Sequence, residues 1–311
     1  MHGVLALVPD ELRAGSDLRE SKAQENLRLK NGGLTVKVYI SVDMEGGTGI
    51  AGASHMTDGG YNRMVKLLTQ EVNAAIDGAF EAGATEVLVN DAHGSMTNIL
   101  IEDLDERAEL ISGNNKHLLQ MEGIDETFDA AFFIGYHAHE GNEDAVMNHT
   151  IMGTAVTEIR RNGVVVGETA INAGIAGACG VPVVLVAGDH ILCKEARYFL
   201  GDIETVEVKK AIDRYAARLL TPKRVQKLMK DAAKRALSRL SDFKPHTVET
   251  PVEFEITMKL TSMAHMCCLF PTVERRGPKV IAVKADNYVD AYKQLLGCLI
   301  LAKDAARGWL G

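Results

Sequence analysis

The sequence has no long apolar run. Nothing in its 311 residues approaches the roughly 18–20 residues that a membrane span requires. The early segment VLALV is too short, and too poorly flanked by positive charge, for a secretory signal, so a cytoplasmic location is the expectation. Cysteine is scarce: Cys179, Cys193, Cys267, Cys268 and Cys298 are odd in number and show neither CxxC nor framework spacing. That pattern excludes a disulfide scaffold and a cysteine zinc site, and fits a reducing compartment. An excess of basic charge is also missing. Lys plus Arg total 34 against 42 Asp plus Glu, a formal net charge of -8, so neither nucleic acid nor an anionic membrane is an expected partner. Nucleotide and serine-hydrolase signatures are absent as well. GGTGIAG follows the first apolar run but is not GxGxxG at a strand-to-helix turn, and the two acids before it would repel a phosphate. There is no P-loop lysine and no GxSxG elbow. What remains is an ordinary globular composition, 46% hydrophobic, enough for one large domain or two of unequal size.

Residues 1–35 read as an N-terminal extension, charged and ending near Gly32-Gly33, and stand outside the fold argument. From Val36 the pattern becomes α/β. Val38–Val42, TEVLVN, AELIS, AAFFIGY and VPVVLVAGD read as strands, most of them buried. Tyr61–Ala82 carries apolar residues at helical spacing up to the stop at Gly83. AVTEIRRNGVVVG reads as a hairpin about Asn162-Gly163, and TAINAGIAGACG as a helix. Alternation of this kind predicts a mainly parallel sheet flanked by helices. We place this catalytic α/β domain at 36–200. Composition shifts near Gly201, and 201–311 reads as a smaller C-terminal α+β domain serving assembly or substrate contacts. There EVKKAIDRYAARLL and TPKRVQKLMKDAAKRALSRL read as basic amphipathic helices, the second with Thr221 as N-cap and Pro222 first in the helix. TPVEFEITMKL and KVIAVKA read as strands, and NYVDAYKQLLGCLILAK as the closing helix.

In open α/β sheets, sites lie beyond the carboxyl ends of the strands. Those ends carry Asp43 and Glu45, Asp91 and His93, His137 and His139, Glu168 and Asp189. Side chains two apart on a strand share a face, so Asp43 can converge with Glu45, and Asp91 with His93. A single acid after a strand is most often a turn or cap residue, and Asp189, before HILCKEARYFL, reads as an N-cap. So many acids and imidazoles at one sheet edge would repel unless a cation neutralised them. Oxygen and nitrogen donors of this mix suit Zn²⁺, Mn²⁺ or Co²⁺.

In order and spacing, YISVDMEGGTGI, VLVNDAHGSM, LISG…MEGID, FFIGYHAH, MNHT and VVVGETAINA closely resemble the motifs of the zinc-dependent D-aminopeptidases, self-compartmentalising peptidases of the bacterial dipeptide-transport operon type. The resemblance runs from about Val36 to near the C-terminus. It implies two Zn²⁺ per subunit, with Asp43 as a bridging carboxylate. Glu45 and His93 would ligate one metal, and His137 and Glu168 the other. It makes His149 a non-ligand catalytic histidine. The loop between His137 and His149 is one residue longer than the family pattern, which makes His139 a rival ligand; the strand-end position and GYH context favour His137. The implied activity is hydrolysis of short peptides at an N-terminal D-residue, notably D-Ala, by a zinc-activated water in a homodecamer. An L-peptide aminopeptidase or another metal-dependent amidohydrolase on the same scaffold is the alternative, and a non-enzymatic small-molecule-binding α/β domain a third reading. Asn90 and Asp91 are expected to support the ligands; Met121 and Glu122 are candidates to shape the pocket, or simply a turn.

Overall fold

A computed structural model describes residues 35–307; the N-terminal extension, apart from Thr35, lies outside the described residues. In chain order the strands are β1 (Lys37–Val42), β2 (Glu86–Asp91), β3 (Ala108–Ile111), β4 (Ala130–Ile134), β5 (Val156–Arg161), β6 (Val164–Val165), β7 (Val183–Asp189), β8 (Glu204–Asp213), β9 (Ala216–Leu219), β10 (Val252–Met258), β11 (Glu274–Arg275) and β12 (Val280–Ala285). The helices are α1 (Asp58–Glu81), α2 (Glu168–Ala178), α3 (His190–Leu200), α4 (Pro222–Ser238), α5 (Thr261–Cys267) and α6 (Tyr288–Arg307).

Seven strands form one sheet in the order β3-β2-β1-β4-β7-β8-β9. Every pairing is parallel except that of β9 with β8. β4 and β7 are buried along their whole length, as strands covered on both faces must be. The chain runs outward from β1 through β2 to β3, then returns to place β4 on the other side of β1. The strand order therefore reverses between β1 and β4, the place where open α/β sheets bind their ligands.

The second sheet is antiparallel, ordered β11-β12-β10-β5-β6. β10 alternates buried and half-buried residues, the pattern of a strand with one face on a core. The Asn162-Gly163 turn expected from sequence joins β5 to β6, with φ of 48° and 83°, the doubly positive geometry of a tight hairpin. This hairpin leads into α2, whose first residue is Glu168.

Two expectations are corrected. EVKKAIDRYAARLL is the hairpin β8–β9, not a helix. Its first strand alternates Val206, Glu207 and Val208 as buried, exposed and buried, and pairing with β7 outweighs the helical propensity of its lysines and alanines. The Asp213 carboxylate accepts the Tyr215 N–H at 3.2 Å, an Asx turn that reverses the chain. The second correction concerns the break near residue 201. β8, β9 and α4 belong with the first sheet, α4 packing on α1, β7 and β8, whereas β5 and β6 from the earlier segment build the second. From Lys37 onward the chain forms one compact unit, because each sheet draws strands from both sides of that boundary. Thr221 occupies the N-cap position and Pro222 opens α4 as expected, but the threonine side chain makes no capping bond.

Candidate metal centre

The site is built where β1 and β4 end. The Asp43 N–H donates to the Ile134 carbonyl at 2.9 Å, and the Gly46 N–H to the Gly135 carbonyl at 2.8 Å, so the two strands keep contact past their ends. Two glycines permit this. A Cβ on Gly46 would lie 1.7 Å from the Tyr136 carbonyl oxygen, and one on Gly135, where φ is +72°, would lie 2.1 Å from that of Asp43. With hydrogen in those places the turns interlock, bringing Asp43 and Glu45 beside His137.

His137 is the hub. Its Nε2 lies 3.2 Å from Asp43 Oδ2 and 3.2 Å from Glu168 Oε1. Its Nδ1 faces the Ala138 carbonyl at 3.0 Å, which can only accept and so fixes the hydrogen there. Glu45 Oε1 lies 3.2 Å from His93 Nε2. His149 stacks on His137 with ring centroids 4.0 Å apart, and its Nε2 stands 3.8 Å from Glu45 Oε1 and 3.9 Å from Glu168 Oε1. Asp43, Glu45, His137 and Glu168 are all buried. Two donor triads emerge, Asp43 with His137 and Glu168, and Glu45 with His137 and His149, each with ligand atoms within 4.8 Å of one another. Asp43 Oδ2, Glu45 Oε2 and His137 Nε2 are buried without a hydrogen-bond partner. Lone pairs left over inside a protein call for something to bind them, and a divalent cation fits this carboxylate–imidazole set.

A sequence model of the D-aminopeptidase family (peptidase M55) matches residues 36–296. The chain belongs to the D-aminopeptidase family. The D-aminopeptidase of Bacillus subtilis (strain 168) is 36% identical over 264 residues, which span 84% of this chain and 96% of that relative. A solved structure described as "Zn-dependent D-aminopeptidase DppA from Bacillus subtilis, a self-compartmentalizing protease" superposes with a TM-score of 0.83 at 35% identity, over 86% of this chain and 98% of that one.

Within this D-aminopeptidase fold, all six residues singled out from sequence, Asp43, Glu45, His93, His137, His149 and Glu168, meet at one place. His139 does not join them. Its Nδ1 faces the Glu140 carbonyl at 2.7 Å and its N–H donates to Glu195. It lines a cavity of about 490 Å³ whose walls share no residue with the cluster. Asp91 is a turn-former that also serves the site. Its carboxylate accepts the Ile99 N–H and the Asn98 side-chain amide, each at 2.7 Å, and Asn98 Oδ1 in turn lies 3.3 Å from His93 Nδ1. Asn90 works through a residue the sequence did not flag: its amide donates to the Gln120 carbonyl, and the Gln120 side chain donates to Glu168. The Ile151 N–H donates to the other Glu168 oxygen at 2.6 Å. Glu122 accepts the Leu118 N–H and Met121 is buried, so this pair forms the turn that carries Gln120. Asp189 is the expected N-cap, accepting the Ile191 and Leu192 N–H groups.

The electrostatics of the cluster reflect so many charges held together in a buried space. Burial, and next the Glu45 carboxylate, push Asp43 up to about 7. Burial would also raise Glu45, but the histidine charges around it, His93 foremost, hold it well below the usual range. Glu168 falls to about 2, its burial outweighed by His137. Burial pulls His93 down, yet Glu45 overrides it and lifts the imidazole to about 10. His149 moves the other way: burial, then the His137 charge, lower it.

Proposed function

We propose that this chain is a zinc-dependent D-aminopeptidase that removes N-terminal D-residues, notably D-Ala, from short peptides on a dinuclear zinc centre, and that it assembles as a homodecamer. The observation that carries the reading is a pair of donor groups in one buried cluster: Glu45 with His93 at 3.2 Å, and His137 with both Glu168 and Asp43 at 3.2 Å. Asp43, Glu45 and His93 would hold one ion, and Asp43, His137 and Glu168 the other. When bound, such ions supply Lewis-acid polarisation of the scissile carbonyl and a water acidic enough to attack at neutral pH.

The protein's own part centres on His149. Its Nδ1 faces the Met147 carbonyl at 2.9 Å, which fixes the hydrogen on Nδ1 and leaves the Nε2 lone pair toward the cluster. A lowered pKa keeps that nitrogen free of a proton at neutral pH. Nε2 can therefore take a proton from the attacking water and return it to the departing amine. The loop that carries His149 is held in a costly conformation: Met147 and the β-branched Ile151 have φ of 48° and 55°, a region such residues rarely adopt. Bonds from the Met147 N–H to the Arg214 carbonyl and from Arg214 to Asn148 offset that strain. The relatives' activity and assembly support the same reading.

Paired assays with D-Ala and L-Ala p-nitroanilides on zinc-loaded protein test the reading, alongside elemental analysis and analytical ultracentrifugation. The expected result is turnover of the D substrate by a protein with two zinc ions per subunit in a ten-subunit particle. Equal or better turnover of the L substrate refutes the stereochemical part. Binding of no more than one zinc refutes the dinuclear centre.

A further inference from the structure

Lys209 is among the largest fully buried side chains of the described residues. Its ammonium makes no ion pair within contact distance. Instead it donates to three backbone carbonyls, of Glu45 at 2.6 Å, Gly47 at 2.9 Å and Ile50 at 2.7 Å. The three donors of a lysine are thus all spent on the segment that carries Asp43 and Glu45. Its hydrogen bonds all go to neutral acceptors, and burial disfavours its charge more than the nearby Asp189, Glu71 and Glu45 carboxylates favour it, so the ammonium is costly to keep there.

The way Lys209 gets there is equally specific. Along β8 the buried positions alternate, Val206 and Val208, with Glu207 exposed between them, so period two would put Lys209 on the exposed side. The register between β7 and β8 slips at this point, from Gly188 opposite Glu207 to Asp189 opposite Lys209. The extra residue makes a local irregularity in the ladder, as β-bulges do where strands re-aim a side chain next to a site. It turns Lys209 inward, toward the end of β1.

We infer that Lys209 is a positioning residue of the metal centre: by binding the carbonyls of Glu45, Gly47 and Ile50 it sets the path of the loop that aims the Glu45 carboxylate at His93. The rest of the loop is braced from other directions. The Asp43 and Gly46 N–H groups are held by β4 and the residue after it. The Thr48 N–H and hydroxyl are held by the buried Glu71 of α1. Among the described residues, Lys209 is the side chain that takes the carbonyl side of the turn. It acts through Glu45 and touches no reacting atom.

This inference rests on the proposed metal centre, so the unaltered protein is the control: if it binds neither zinc nor cobalt, that centre fails rather than the role of Lys209. The test is Lys209→Met, of similar length but without donors. Zinc affinity is measured by chelator competition on protein shown to be folded by circular dichroism. The expected result is zinc binding weakened by more than tenfold. Lys209→Arg keeps the charge but cannot fit its planar guanidinium to the same three carbonyls. Its Co²⁺-loaded form is expected to show displaced visible bands, and this measurement decides alone if Lys209→Met does not fold. Zinc affinity as in the unaltered protein for Lys209→Met, or superimposable cobalt spectra for Lys209→Arg, overturns the inference, whatever happens to the melting temperature; a purely structural lysine would change only the latter.

Discussion

His137 and His149 lie ring on ring yet are equipped for different work. The Nε2 of His137 is within 3.2 Å of two carboxylates, whereas that of His149 is 3.8 Å or more from any. Both rings have Nδ1 committed to a backbone carbonyl, so the proposed division of work, His137 as ligand and His149 as proton carrier, rests on Nε2 alone. His149→Ala should therefore retain zinc while turnover falls about 10²–10³-fold, read by elemental analysis beside kcat. Unchanged turnover with zinc in place would remove His149 from the chemistry. Asp43→Ala should behave in the opposite manner. In the proposed centre Asp43 serves both ions, so its loss should strip metal from both positions together with activity, and a variant that still holds two zinc ions would refute the bridging role. Asp43, Glu45, His93 and His137 were legible as chemically costly side chains just past strands, whereas His149 was marked only by the family resemblance and Glu168 opens a helix instead of ending a strand. Gln120 and Asn98 were not legible. An amide hydrogen-bonds to anything, and only the fold shows that these two hold Glu168 and His93.

At the scale of elements, the site depends on two strand-end turns fitting into each other. Sequence reading found β1, β4 and the glycines, but not the reason for Gly135, because a positive φ and a close approach 92 residues away in the chain leave no periodic trace. The distinction can be measured. Gly163 also has positive φ, +83°, but a Cβ there would meet nothing within 4 Å. Gly163→Ala should cost only the backbone strain, about 1–2 kcal/mol. Gly135→Ala adds collision with the Asp43 carbonyl and should cost on the order of 2 kcal/mol more. Urea unfolding of the chelated protein gives both values; equal costs would mean that the turns have room to separate. The β8–β9 hairpin shows the opposite failure. Its lysines and alanines gave it a helical look, and only pairing with β7, which the local sequence pattern does not carry, determines that it is a strand. Read as part of a basic helix, Lys209 carried no mark that set it apart from its neighbours.

For the whole molecule, metal and protons compete for one set of atoms. The fold class and five of the strands that build the main sheet could be read directly, since buried parallel strands are nearly continuous apolar runs; the interleaving of the two sheets could not, because strand partners are distant in sequence. The consequence of gathering three carboxylates and three imidazoles is a characteristic dependence on pH. In the metal-free protein Asp43 is raised from its ordinary 3.8 to about 7 and His93 from 6.5 to about 10. Between each pair of values the folded state holds a proton that the unfolded chain has released, so these groups make folding less favourable as pH rises: Asp43 from about 4 to 7, His93 from about 6.5 to 10. In the proposed centre zinc requires Asp43 as carboxylate and His93 as neutral imidazole, so binding would expel those protons and tighten as they become easier to lose. The two trends have opposite sign. The melting temperature of chelated protein should fall between about pH 6 and pH 8 through these groups, while the increment on adding zinc grows over the same range, since ligand binding stabilises with the logarithm of its affinity. Thermal melts with chelator and with saturating zinc, at several pH values, measure the gap directly. A gap that stays constant or narrows toward pH 8 would mean that zinc does not replace protons on Asp43 and His93, and would place the metal elsewhere.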